Sequence, residues 1–116
     1  MAADDATASA GISATVPVVC DISADTFVLS ASGSTSGSVR EFCNSDTGFH
    51  VSAAYRTLDQ RESVSVRYGE QMVELDRSGT ALIAFRFGQR LAQVPVTIQA
   101  RELATPIAVA FSLTAV

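Results

Sequence analysis

Chemistry on a protein needs side chains that move protons, attack or hold a metal, and this chain offers few of them. His50, in "GFHVSAAY", is the single histidine, and on a strand it shares its face with Gly48, Ser52 and Ala54. A general base works with a nucleophile and an orienting acid beside it in space, and no sequence motif here marks such a pair. His50 therefore reads as a surface or half-buried strand histidine. The close acidic groupings are Asp4-Asp5 and Glu70, Glu74 and Asp76. Neither has the ligand spacing and central glycine of an EF-hand loop. The second alternates with Met72, Val73 and Leu75 as on a solvated strand face, which leaves room for a weak cation site at most. There is no GxSxG, no HExxH and no glycine-rich loop opening a helix. The chain reads as a non-enzyme with no cofactor and no metal.

Arg56, Arg61 and Arg67, with Tyr55 and Tyr68 close in sequence, have the residue types of an anion or glycan patch, because guanidinium groups stack on and bond to such ligands. Asp59 and Glu62 are interleaved with them, so ion pairing on a wet face is the stronger reading. The cysteines, Cys20 and Cys43, form no Cys-x-x-Cys and have one histidine for company, which supports neither zinc nor a thioredoxin-like site. A disulfide is the economical reading, and two buried thiols in a reducing compartment are the alternative.

These groups must be positioned by a chain of 116 residues with a formal charge of −4, enough for one core. All eight basic residues are arginine and the twelve acids are dispersed. That balance argues against nucleic acid, whose binders need a cationic face. No apolar run approaches the ~18 residues of a membrane span. Met1 is followed at once by the polar "AADDATASA", so no signal peptide is visible, and Ala-Ala-Asp-Asp has the look of a mature end left by small-residue cleavage.

Apolar and polar residues alternate with period two, and no stretch shows a helical stripe. The pattern predicts strands at 12–22, 26–30, 38–43, 48–56, 63–68, 71–75, 81–87, 94–100 and 107–115, with turn signals between most of them. The fold class is all-β, an antiparallel sandwich or barrel. "MVELDRSGTALIAF" is the best hairpin candidate. Pro17 and Pro95 each remove a donor, which predicts edge or bulged strands. The Ser/Gly-rich 30–38 reads as a flexible loop.

The two ends carry the most unusual pattern. Ala8, Ala10, Ile12, Ala14, Val16, Val18 and Cys20 share one face of a segment that spans about 40 Å when extended, beyond a typical strand. Residues 16–22 would begin the domain while the residues before them pair elsewhere. At the other end Ile107, Val109, Phe111, Leu113 and Ala115 alternate up to the last residue. Uncovered edges of this kind are either blocked or exploited.

Taken together, the alternating arm leading into "ATVPVVCDI", the second cysteine in "VREFCNSDTGFHVSAAY", the run of short strands and the final alternating strand resemble chaperone-usher pilus subunits, including the archaic group similar to spore coat protein U. The resemblance implies an immunoglobulin-like antiparallel β-sandwich that lacks its last strand. Residues 1–15 would be a donor-strand arm and 16–116 the pilin domain. Ala8, Ala10, Ile12 and Ala14 would form the inserting face, and Ile107, Val109, Phe111 and Leu113 would line the acceptor groove. A Cys20–Cys43 bridge would tie the first strand to the one after the Ser/Gly loop. The implied function is a subunit of a surface fimbria supporting adhesion or biofilm formation, polymerised head-to-tail with copies of itself or related pilins. Its implied partners are a periplasmic chaperone and an outer-membrane usher, and its route is through the periplasm to the cell surface. The alternative is a self-contained secreted β-sandwich that binds a glycan or protein ligand at the cell surface.

Overall fold

The structure, a computed structural model, describes residues 17–23 and 26–116. Those residues form strands β1 (Cys20–Ser23), β2 (Thr26–Leu29), β3 (Gly33–Cys43), β4 (Phe49–Ala54), β5 (Ser63–Tyr68), β6 (Gln71–Glu74), β7 (Thr80–Arg86), β8 (Arg90–Arg101) and β9 (Ile107–Ala115). They build two antiparallel sheets, a four-stranded one in the order β2-β9-β4-β7 and a five-stranded one in the order β1-β3-β8-β5-β6. No helix occurs among the described residues.

The alternation produces the core directly, because successive side chains on a strand point to opposite faces. Val51 and Val109 from the first sheet, and Val39, Val66, Val96 and Ile98 from the second, belong to one buried cluster. Aromatic rings join the layers: Phe111 lies 5.9 Å from Phe27, edge-on, and 5.5 Å from Tyr68. In β7 the period slips. A bulge pairs Val51 with Ala84 but Ser52 with Leu82, so the extra residue Ile83 is buried beside Ala84. The same slip leaves Leu82 and Phe85 exposed.

Three local expectations are corrected by the tertiary structure. Segment 30–38 is a strand from Gly33 onward, paired residue for residue with β8 from Ala100 to Pro95. Gly37 matters there, because a Cβ would stand 2.9 Å from the Phe27 ring. The expected hairpin in "MVELDRSGTALIAF" does not form, since β6 pairs β5 in one sheet and β7 pairs β4 in the other. The tight hairpin is β5–β6, whose connection Gly69-Glu70 has Gly69 at φ 61°, the first central position at which a type II′ turn takes glycine. Pro95 is not on an edge strand, because β8 lies between β3 and β5 without a bulge against either. Its carbonyl accepts from Gly69 N at 2.8 Å. In an antiparallel ladder a residue's N and C=O point to the same side, so the missing donor points where β5 has already turned away. The predicted strand 12–22 contributes β1 from Cys20 onward. Residues 17–19 are irregular and 12–16 lie outside the described residues.

Candidate functional site

The arrangement at the two ends of the chain forms the candidate site. β9 changes partners along its length, pairing β2 through Ile107–Ala110 and β4 through Ala110–Ala115. On the β2 flank, residues 111–115 have no strand partner among the described residues. β1 pairs β3 on one side, and no described strand pairs its other side. The chain crosses from one sheet to the other between β1 and β2, and β1 runs close to β9. Two unpaired strand edges, one from each sheet, therefore flank one seam of the molecule. Unpaired edges carry rows of donors and acceptors that a further strand can satisfy.

The seam is held at its end by the first cysteine. Cys20 and Cys43 are directly opposed across β1 and β3 and form a disulfide, with Cα atoms 4.0 Å apart. Asn44 extends the clamp. Its N–H donates to Val19 O at 3.2 Å, its Oδ1 accepts from Val19 N at 2.7 Å, and its Nδ2 donates to Pro17 O at 3.1 Å. The segment leading into β1 is thus fixed from Pro17 onward, with Val18 and Val19 exposed. At the far end of β9, Val116 N donates to Gly48 O at 3.0 Å.

Of the groove residues expected from the sequence, Ile107, Val109 and Phe111 are buried in the core and Leu113 is half-buried, packed against the same cluster. Leu113 lies in the part of β9 that pairs β4 on one side and has no described strand partner on the β2 flank. The inserting residues Ala8, Ala10, Ile12 and Ala14 lie outside the described residues.

The arginine and tyrosine residues do not share one exposed face. Tyr68 is buried, and burial, reinforced by its 2.5 Å bond to Glu41, pushes its hydroxyl pKa up. Tyr55 donates its hydroxyl to the Asp76 carbonyl. Arg67 projects from the outer face of the five-stranded sheet, near Met72 and Thr97. Arg56 grips the buried Glu62 carboxylate with two bonds of 2.8 and 2.6 Å, and also donates to the carbonyls of Thr57, Thr105 and Pro106. Glu62 in turn accepts from Asp59 N at 3.0 Å and Ala104 N at 2.8 Å. This pair ties the loop before β5 to the loop before β9.

Arg56, with the backbone donors of Asp59 and Ala104, lowers the Glu62 pKa from 4.5 to about 2. In the unfolded chain the carboxyl regains its ordinary value, so the unfolded state takes up the proton first as pH falls. The stabilisation is complete above about pH 4.5 and is lost as pH falls towards about 2. Denaturant midpoints should drop across that window, and Glu62→Gln should flatten that acid limb while lowering stability above it. Parallel pH profiles for the two proteins would show that Glu62 is not the linked group.

The remaining groups stay apart. His50 lies on the outer face of the four-stranded sheet, 5.1 Å from the Phe85 ring, with Nδ1 buried and unpartnered. Glu74 accepts from Ser63 Oγ and Asp76 from Ser78 N. Among the described residues no three His, Cys, Asp or Glu side chains converge as metal ligands, and no helix is long and apolar enough to cross a membrane. Sequence reasoning missed Glu41 as a buried acid, and it expected the Glu62 ion pair on a wet face where the structure buries the Glu62 carboxylate. Glu41 was signalled by its phase, an acid between Val39 and Cys43 on the inward face of β3.

Comparison with protein-family models, with curated proteins and with solved structures found no match to this chain.

Proposed function

We propose that this protein is a structural subunit of a bacterial surface pilus, an incomplete immunoglobulin-like sandwich polymerised head-to-tail by donor-strand complementation. The observation that carries the reading is the seam between β1 and β9, where an unpaired edge from each sheet flanks the half-buried Leu113. A strand laid there would add main-chain hydrogen bonds to β9 and cover apolar side chains, the mode of recognition in strand addition. The N-terminal arm, with Ala8, Ala10, Ile12 and Ala14 in alternation, is the segment that would enter the seam of a neighbouring copy. Such a contact joins two different surfaces and does not close, so it propagates a filament. The disulfide supports export, because such bonds persist in oxidising compartments. A periplasmic chaperone would cover the seam before assembly, and an outer-membrane usher would release the subunit to the surface.

Sedimentation velocity on the oxidised protein tests this, comparing the full chain with one lacking residues 2–14, with negative-stain images of fast-sedimenting material. The full chain should form fibres and the shortened chain should not. A synthetic peptide of residues 2–14 should bind the shortened chain. Equally stable monomers from both, with no peptide binding, would overturn the proposal.

A further inference from the structure

A second polar cluster lies away from the seam. Glu41 is fully buried between the sheets, where it accepts from Tyr68 Oη at 2.5 Å and from Arg90 Nε at 2.6 Å. Arg86 approaches the same carboxylate only to 3.7 Å. The two arginines come from "RFGQR", one ending β7 and one starting β8, so the turn between the sheets delivers both guanidinium groups to one carboxylate. The arginine side chains are 20% and 36% exposed. One carboxylate balances only one of the two charges, and Arg86 is the less exposed and the more weakly paired of the two.

Arg86 is the under-bonded member. Its Nε is buried with no hydrogen-bond partner, and its group lies 5.8 Å from the Tyr68 ring centre. Its terminal nitrogens make no hydrogen bond among the described residues either, the nearest carboxylate oxygen being 3.7 Å from Nη2, so they remain donors for a further group. Arg86 and Arg90 both line a cleft of about 450 Å³, bounded also by Gly69, Glu70 and Gln93. A Cβ on Gly69 would lie 3.8 Å from Arg86 Nη2, so this nitrogen stands beside the Gly69 wall of the cleft.

We propose that the Arg86–Arg90 cleft binds an oxyanion, a carboxylate or phosphate group held by the terminal nitrogens of both guanidinium groups. The planar fork of arginine suits both chemistries. Glu70, on the rim, is the internal competitor.

The test follows the side-chain Nε–H resonances of Arg86 and Arg90 by NMR on the isotope-labelled full chain, titrated with sodium acetate or sodium phosphate against sodium chloride at matched ionic strength. A saturable shift of both resonances, in the millimolar range and absent with chloride, is expected, and the tighter of the two anions identifies the ligand chemistry. Arg86→Gln should weaken the response at Arg90 by about tenfold or more. Glu70→Gln, an exposed change that leaves the buried cluster intact, should strengthen it or leave it unchanged. Linear shifts equal to those with chloride would overturn the proposal. So would anion binding seen only in Glu70→Gln, since the cleft would then be filled from within.

Discussion

Gly48→Ala should disrupt the end of the four-stranded sheet where β4 meets β7 and β9, and lower stability by about 3 kcal/mol or more. Gly48 precedes β4 at φ 104°, and a Cβ there would lie 2.1 Å from the Arg86 carbonyl oxygen and 3.2 Å from Phe87 Cα. The obstacle is backbone, so no side-chain rotation relieves it. Phe49 pairs with Arg86, and the Gly48 carbonyl receives Val116 N, so displacement would be felt in β7 and at the end of β9 together. Gly88→Ala is the control. Gly88 also has positive φ, at 73°, but nothing lies within 4 Å of its Cβ position, so only the backbone strain of about 1 kcal/mol applies. Thermal unfolding should place Gly48→Ala more than about 12 °C below the parent and Gly88→Ala much closer to it. Equal losses in the two variants would show that the close approach to Arg86 is not what demands glycine.

Removing the disulfide should have an effect of similar size by a different route. The bridge joins residues 23 apart in sequence, and in the chain-entropy account its loss favours the unfolded state by about 3 kcal/mol relative to the bridged chain. In the native protein the strand it anchors, β1, is four residues long and lies at the edge of its sheet. Asn44 would remain as the clamp on Val19 and Pro17. The Cys20→Ser, Cys43→Ser double variant should therefore unfold at lower denaturant, and amide exchange should accelerate first in 19–23. If β1 is a wall of the strand-accepting seam, peptide 2–14 should also bind that variant more weakly. A double variant with a parental midpoint and unchanged exchange in β1 would contradict the argument.

The same residues show how much could be read before the fold was known. Strand positions follow from a local cause, because side-chain direction alternates within each strand whatever its partner. Ser63–Tyr68 and Ile107–Ala115 are accordingly where the alternation places them. Cys20 and Cys43 were already the economical disulfide pair, and the interleaved acids already argued against an open arginine patch. The Ser/Gly segment carries no local strand signal for a physical reason: its polar residues have no apolar alternation, and its strand state comes from β8 opposite.

What could not be read locally was pairing. The turn residues of 76–80 connect β6 and β7 equally well within one sheet or across two, and the choice was made by β5 and β4, which claim one strand each. Glu41 acquires its partners from residues 27 and 49 positions away. Period-two patterning by itself determined an all-β chain with one apolar face per strand, because that information lies within a few neighbouring residues. The order of the strands, the unpaired edges of β1 and β9 and the arginine cleft were decided only in three dimensions, because each depends on which distant segment lies alongside.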